Sequence, residues 1–189
     1  MVKTERTNKC KNYHYQINIS TTMNHFQLFD IPQNYIIDQT FLQKSYFALQ
    51  SKHHPDRARS DEERRKNLEH SMLINEAFKI LKDDYLRSKY MLELQGQAFE
   101  EIALKGLLLP SELEEILDQY ELIENISDIL SLSTVKEAKL IEQELLVQNI
   151  GAAFEQNNIK EALELTLRLK YLTNLVGNIK LKIRGGEVG

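Results

Sequence analysis

The sequence has few of the residues on which β-rich, disulfide-bonded or membrane-spanning proteins depend. Its 189 residues include seven glycines and three prolines, less than half of the usual combined share of about 12%. Leucine and isoleucine dominate the apolar residues, which favours helices over a sandwich or barrel. The single cysteine, Cys10, allows neither an intrachain disulfide nor a cysteine-rich metal site, so we expect a reducing compartment. No apolar run approaches the roughly 20 residues of a transmembrane helix.

Charge is distributed unevenly along the chain, whose net charge is −4. Residues 1–23 carry +3, residues 24–96 are neutral, and residues 97–189 carry −7. Neither large segment has the concentrated basic face that is typical of nucleic-acid-binding proteins, so we expect protein partners and no nucleic acid. There is also no glycine-rich phosphate-binding loop, and no cysteine nucleophile in the part that should fold. We therefore predict no enzymatic activity and no cofactor.

The first 23 residues are polar and aperiodic. They predict a disordered tail, or upstream sequence before a true start at Met23. They lack the apolar region of a signal peptide, and Arg6 is their only arginine, which is unlike a mitochondrial targeting peptide. We expect a cytoplasmic protein with no membrane contact, and a protein of the mitochondrial matrix is the alternative.

Residues 24–96 predict a first helical domain. A short initial helix is stopped by Pro32, and Asp38 can cap the long helix that follows. Pro55 must end that helix near His53, because the residue before a proline is disfavoured in helical geometry.

A second long helix follows a charged loop, and Asp83-Asp84 interrupts it. A shorter helix then ends at Gly96, where a C-terminal cap is expected. The two long helices would form an antiparallel hairpin with a buried inner face. The predicted core residues of this domain are Phe26, Leu28, Phe29, Leu42, Tyr46, Leu49, Ile74, Phe78 and Leu81. Leu68 and Met72 also belong to the apolar positions of the second long helix.

A linker over residues 97–110 leads to a second helical unit. Capping boxes, in which Ser, Thr or Asn precedes Glu by three residues, begin at Ser111, Thr134 and Asn158. The helices predicted from them cover residues 111–132, 134–156 and 159–183. Short connections favour antiparallel neighbours, so we expect a three-helix bundle over 111–183 and a flexible C-terminus over 184–189.

The tripeptide His54-Pro55-Asp56 carries the clearest functional signal. It lies in the loop between the two long helices, between Lys52 and Arg57. Pro55 stiffens the loop, Asp56 offers a carboxylate suited to an arginine of a partner, and His54 offers a hydrogen-bond donor, an acceptor and a flat ring. No nucleophile accompanies them, so these groups suit recognition of a partner and not hydrolysis.

A His-Pro-Asp loop between such helices resembles the J-domain of DnaJ-type co-chaperones. Other segments resemble the HscB branch of that family, whose members serve iron–sulfur cluster assembly. These segments are residues 26–32 with Tyr35, 74–78, 87–96, and 167–172 with Ala162. The resemblance covers residues 23–183, and its motifs are more specific in the J-domain than in the C-terminal bundle. It implies an all-α, L-shaped protein of two parts.

The resemblance further implies that the J-domain docks on an ATP-bound chaperone of the DnaK or HscA type and stimulates ATP hydrolysis by that partner. The candidate docking residues are Lys44, Lys52, His54, Pro55, Asp56 and Arg57. Two departures from the family pattern fall in this region. Arg57 stands where lysine is usual, and Ser45 and Ser51 stand where basic residues are common.

The C-terminal bundle, by the same resemblance, would hold an IscU-like iron–sulfur scaffold protein as the client. The family's binding patch lies at the start of the first bundle helix, and a family aromatic residue on the last helix matches Tyr171. The candidate scaffold-binding residues are Leu108, Leu109, Leu113, Glu114, Leu117 and Tyr171. One protein that holds both partners would raise the effective concentration of client at the chaperone.

Two other functions remain open from the residues. One is a J-domain co-chaperone for a different client protein, and the other is a helical interaction protein whose J-like loop is silent. No metal site is predicted, because the adjacent His53 and His54 project in different directions and His70 has no ligand spacing with them.

Overall fold

The computed structural model describes residues 23–97 and 109–186, and every regular element within these ranges is helical. The N-terminal part contains α1 (His25–Leu28), α2 (Gln39–Lys52), one 3₁₀ turn (Pro55–Arg57), α3 (Asp61–Lys82) and α4 (Asp84–Leu94). The C-terminal part contains α5 (Pro110–Asn125), α6 (Ile129–Glu155) and α7 (Ile159–Gly186). The all-α prediction is confirmed. The predictions for residues 1–22, for most of the linker, for Leu108 and for the last three residues lie outside the described residues.

Local signals in the sequence place the ends of the N-terminal helices. The Asp38 carboxylate accepts the first two free N–H groups of α2 at 2.8 and 3.0 Å, and α2 ends at Lys52, three residues before Pro55. Asp83 ends α3, and its carboxylate accepts the N–H of Leu86 in the first turn of α4 at 2.8 Å. These boundaries confirm the expectations for Asp38, Pro55 and the Asp83-Asp84 interruption.

Gly96 ends α4 in a left-handed conformation with φ of 77°. The N–H of Gly96 donates to the carbonyl of Glu93, and the N–H of Gln97 donates to that of Leu92, both at 3.0 Å. This pair of bonds is the Schellman motif, which satisfies carbonyls at a helix end and favours glycine because a Cβ is strained at positive φ. The predicted C-terminal cap is confirmed.

The predicted core of the hairpin is also confirmed. Its almost fully buried members are Phe26, Phe29, Leu42, Ile74 and Leu81. Partly buried against them lie Leu28, Tyr46, Leu49 and Phe78. Leu68 and Met72, which are apolar positions of the same helix outside the predicted core, are more than half exposed on α3. The face of α3 that contacts α2 is therefore narrower than its apolar residues indicate.

The predicted start of the second bundle helix was wrong. The helix α6 begins at Ile129 and not at Thr134, because the Asp128 carboxylate accepts the N–H of Ser131 at 2.7 Å and caps it earlier. Thr134 lies inside the helix, where its hydroxyl donates to the carbonyl of Leu130 at 3.0 Å. A threonine can satisfy its hydroxyl in this way within a helix, so a capping-box pattern does not by itself define a start.

The other two bundle helices differ less from their prediction. The helix α5 begins at Pro110, one residue early, and ends at Asn125, seven residues before the predicted end at 132. Asn158 starts α7 as predicted, since it accepts the N–H of Glu161 at 3.4 Å and donates to its carboxylate at 2.7 Å. That helix continues through Gly186, so the first three residues of the predicted flexible C-terminus are helical.

The two parts of the chain share one core. Helix α7 pairs along its length with α6 and also packs against α4. One buried cluster contains Tyr35, Met91 and Leu92 from the N-terminal part together with Ile150, Ala153, Leu165 and Leu169 from the bundle. A second, smaller cluster lies around Ile123 and Ile179 at the other end of α7. Among the described residues, none of the helices has the length and apolarity to cross a bilayer.

Candidate functional site

The His54-Pro55-Asp56 tripeptide forms the turn between α2 and α3. Pro55 is the first residue of the 3₁₀ turn, where its fixed φ fits and its missing N–H needs no partner. The Nδ1 atom of His54 accepts the N–H of Asp56 at 3.2 Å. The N–H groups of Arg57 and Ala58 then donate to the carbonyls of His54 and Pro55 at 3.0 and 3.1 Å. Local hydrogen bonds thus hold the turn in one shape.

The side chains of this turn point into solvent. Those of His54 and Asp56 are 55% and 88% exposed, and the His54 Nδ1 lies 3.7 Å from the Asp56 carboxylate. Lys52 and Arg57 flank them and are exposed as well. Lys44 is also exposed but lies on α2 eight residues before Lys52, which is about 12 Å away along the helix axis. The turn therefore presents an imidazole, a carboxylate and two cations together, with Lys44 at a distance.

Helix α3 contacts the base of this turn through two side chains. The Asn67 side-chain amide donates to the carbonyl of His54 at 3.4 Å, and the Nδ1 atoms of His53 and His70 lie 3.2 Å apart. The two imidazole rings are nearly perpendicular, with centroids 4.7 Å apart. The pKa of His53 is lowered by its desolvation and then by the positive charges of His70 and Lys52.

The contact between His53 and His70 was not predicted from the sequence. A spacing of 17 residues has no helical period, but the antiparallel register of α2 and α3 brings the two rings together. The same register of α2 against α3 also brings the Ser71 hydroxyl to the Gln50 side-chain carbonyl, to which it donates at 2.7 Å. Within residues 23–97 and 109–186, no cluster of three or more His, Cys, Asp or Glu side chains could hold a metal ion.

A groove runs between α5, α6 and α7 in the C-terminal bundle. Its apolar lining includes Ile116 and Tyr120 of α5, Leu145 of α6, and Tyr171 and Leu175 of α7. The polar residues at its edges are Glu112, Glu115, Gln119, Glu142, Asn149 and Arg168. Three of these are carboxylates, so the groove combines an apolar floor with a mainly acidic edge.

An ion pair joins α5 and α7 at the edge of the groove. The Arg168 guanidinium of α7 bonds to the Glu112 carboxylate of α5. Glu112 also accepts the N–H of Leu109 at 2.8 Å and so caps α5. The pKa of Glu112 is lowered by that N–H and, to a smaller extent, by Arg168. Sequence reasoning missed Arg168, although it lies three residues before Tyr171 and therefore on the same face of α7.

The structure separates the predicted scaffold-binding residues. Tyr171 is half-buried and lines the groove, whereas Leu109 and Leu117 are 64% and 67% exposed. Leu113 packs partly buried against the main core, and Glu114 is exposed. The described lining of the groove includes neither the N-cap residue Leu109 nor the three α5 residues Leu113, Glu114 and Leu117. Leucines spaced four apart drift by about 40° per step around a helix, so their row winds away from the groove.

Two family models match the chain. The first, described as a DnaJ domain, matches residues 24–90, and the second, described as the HSCB C-terminal oligomerisation domain, matches residues 110–180. The first match includes both long helices of the hairpin and the exposed His54-Pro55-Asp56 turn. The chain is therefore a J-domain protein.

Relatives of known class match most of the chain. The mouse iron-sulfur cluster co-chaperone protein HscB is 30% identical over 165 residues, which cover 85% of this chain and 69% of the relative. The mitochondrial J-type co-chaperone JAC1 of Saccharomyces cerevisiae is 29% identical over 151 residues, which cover 76% of this chain and 77% of JAC1. The crystal structure of human HscB matches with a TM-score of 0.80 and 29% identity, and the match covers 86% of this chain and 83% of the human chain. The chain belongs to the HscB family of co-chaperones, whose members occur in bacteria as well as mitochondria.

Proposed function

We propose that this chain delivers an IscU-like iron–sulfur scaffold protein to a chaperone of the DnaK or HscA type and stimulates ATP hydrolysis by that chaperone. The observation that carries the proposal is the exposed His54-Pro55-Asp56 turn in a chain of the HscB family. Bond breaking would take place in the chaperone, and this chain would supply only contacts. For its location we propose the bacterial cytoplasm, with the mitochondrial matrix as the alternative.

The chaperone end would act through groups that are arranged before binding. The Nδ1 of His54 is engaged by the Asp56 N–H, which leaves the Nε2 atom for a partner. The Asp56 carboxylate is free to accept a partner arginine, and Lys52 and Arg57 favour an acidic surface beside it. Because local hydrogen bonds already order the turn, docking would lose little conformational entropy.

The client end would use the groove and its surroundings. Tyr171 offers a large apolar surface with a polar tip, which suits an interface anchor. The acidic edge formed by Glu112, Glu115 and Glu142 would favour a basic segment of the scaffold protein. Leu109, Leu113, Glu114 and Leu117 remain candidates for contacts beside the groove, together with Leu108.

Single-turnover ATP hydrolysis by the chaperone tests the first half of the proposal. We expect the wild-type chain to accelerate hydrolysis and His54→Gln to lose most of the acceleration, by at least about tenfold. Circular dichroism should show unchanged helix content, because the exposed His54 ring contributes little to packing. A His54→Gln variant that stimulates as well as the wild type would contradict the role of the turn.

Calorimetric titration with the scaffold protein tests the second half. We expect binding at about micromolar affinity or better, weakened about tenfold by Tyr171→Ala. Leu109→Ala/Leu113→Ala tests the α5 candidates in the same assay. The control is Leu181→Ala, an exposed leucine on the same helix as Tyr171 but outside the groove. Absence of binding, with chaperone stimulation intact, would mean that the client is a different protein.

A further inference from the structure

The end of α2 is tied to α3 by two histidines. The Nδ1 atoms of His53 and His70 are 3.2 Å apart, within hydrogen-bonding distance. Nitrogen atoms at this distance can bond only if one carries a proton and the other offers a lone pair. The contact therefore requires that at least one of the two imidazoles be neutral.

This contact lies at the base of the His54-Pro55-Asp56 turn. His53 is the C-cap residue directly after α2, and its N–H donates to the carbonyl of Leu49 at 3.0 Å. His54 follows directly, and its carbonyl accepts the Asn67 amide at 3.4 Å. Asn67 and His70 are three residues apart and lie on one face of α3. Side chains on one face of α3 thus contact both His53 and His54, the two residues that precede Pro55.

We propose that His70, acting through His53, is a positioning residue for the His54-Pro55-Asp56 turn, and that protonation of both rings releases the turn from its docking geometry. This proposal rests on the proposed function of the turn. His70 itself is 16 residues from His54 and half-buried, so its effect on a chaperone would pass through His53.

The charges around the pair favour release in acid. Lys52 on α2 and His70 on α3 both act on His53 with positive charge, and Asn67 is its neutral partner. The 3₁₀ turn carries two charged side chains, Asp56, whose carboxylate lies 3.7 Å from the His54 Nδ1, and Arg57, which is positive. On α3, Glu62 is already paired with Lys66 at 2.8 Å, and Glu69 is exposed. The described contacts of the two rings include no carboxylate, so a second proton would place two like charges together.

The test compares variants of His70 in the chaperone ATPase assay. His70→Gln keeps a hydrogen-bonding side chain that does not titrate, and His70→Leu removes the bond. Glu69→Gln, an exposed neighbour on α3, is the matched control. At about pH 7.5 we expect His70→Gln and Glu69→Gln to stay within about twofold of the wild type. His70→Leu should need about fivefold more protein for half-maximal stimulation, the effect of one lost hydrogen bond.

The pH profile separates positioning from a merely structural role. As the pH falls to about 5.8, the wild type should lose apparent affinity relative to His70→Gln, because only the wild type has two rings to protonate. The ratio between variants cancels the pH dependence of the chaperone itself. A ratio that stays constant with pH, or a His70→Leu variant equal to the wild type, would overturn the proposal.

A measurement without the chaperone keeps this proposal distinct from the proposed function. In an NMR titration of the wild type, the backbone amide of His54 should shift as His53 is protonated, and this step should move to higher pH in His70→Gln, because the positive charge of His70 no longer opposes protonation of His53. If the wild type fails to stimulate any chaperone but shows this step, the proposed function fails and the structural linkage stands. If the step is absent, the positioning role of His70 is wrong.

Discussion

At the scale of single residues, Arg87 shows how one buried cation can organise a domain. Its side chain is 2% exposed. The guanidinium donates to the carbonyl of Tyr35 at 2.7 Å and to that of Leu81 at 2.6 Å, and it pairs with Asp84. The group also lies 4.8 Å from the centre of the Tyr35 ring. Arg87 therefore joins the loop before α2, the end of α3 and the start of α4.

Removal of this guanidinium should destabilise the protein strongly. We expect Arg87→Met to lower the free energy of unfolding by about 3 kcal/mol, because two buried carbonyls lose their donor and Asp84 loses its cation. Arg64→Met, at an exposed position of α3, is the control and should change it by less than about 0.5 kcal/mol. Urea denaturation followed by circular dichroism measures both. Equal stability of the two variants would show that Arg87 is not needed to hold these segments together.

Individual functional residues differ in how far the sequence alone reveals them. His54, Pro55 and Asp56 are adjacent in the chain, so their turn could be predicted from local sequence. His70 and Arg168 are instead brought into place by contacts with His53 and Glu112, at separations of 17 and 56 residues. Such contacts depend on the register between packed helices, and no local pattern encodes that register.

At the scale of helices, the ends that have a single strong signal were predictable. Gly96 is the only residue near the end of α4 that takes a positive φ without strain, and the sequence places it there. The start of α6 was not predictable, because Asp128 and Thr134 both offer a capping oxygen within about two helical turns. Tertiary packing of Leu132, which is buried between α5 and α7 residues of the second cluster, favours the earlier start.

Two glycines with different backbone geometry should respond to alanine in opposite directions. Gly96→Ala should lower the free energy of unfolding by about 1 kcal/mol, because it forces a Cβ into the left-handed region. Gly177 lies inside α7, where an added Cβ meets open space. Gly177→Ala should raise the free energy of unfolding by up to about 1 kcal/mol through higher helix propensity.

Thermal or urea unfolding of both variants checks this expectation. Each variant adds one methyl group and leaves the charge unchanged. The difference between their free energies of unfolding therefore reports the backbone conformation at the two glycines. Stabilisation by Gly96→Ala would show that α4 does not end in the Schellman motif.

At the scale of the whole molecule, the J-domain and the bundle are joined by a packed interface. Ser88 of α4 and Thr166 of α7 are buried, with hydroxyl oxygens 2.5 Å apart. The Thr166 hydroxyl donates to the carbonyl of Ala162, so the Ser88 hydroxyl donates to Thr166. Helix α7 thus contacts α4 of the J-domain near its start and carries Tyr171 of the groove slightly further along.

A double-mutant cycle tests the energy of this hydroxyl pair. Thr166→Val should lower the free energy of unfolding by about 1–2 kcal/mol, because it leaves the buried Ser88 hydroxyl without its acceptor. Ser88→Ala in the Thr166→Val background should recover about 1 kcal/mol of that loss, because the unpaired group is then gone. Denaturation of the four proteins gives the coupling energy. Additive effects within about 0.3 kcal/mol would mean that the two hydroxyls do not interact.

The most direct test of the whole function is complementation between two defective molecules. The measured quantity is the rate of ATP hydrolysis by the chaperone in the presence of the scaffold protein. His54→Gln should be defective in the chaperone site, and Tyr171→Ala should be defective in the scaffold site. We expect an equimolar mixture of the two variants to remain far below the wild type, because client and chaperone must be held by the same molecule for the effective concentration to rise. A mixture that restores the wild-type rate would contradict coupling through one chain.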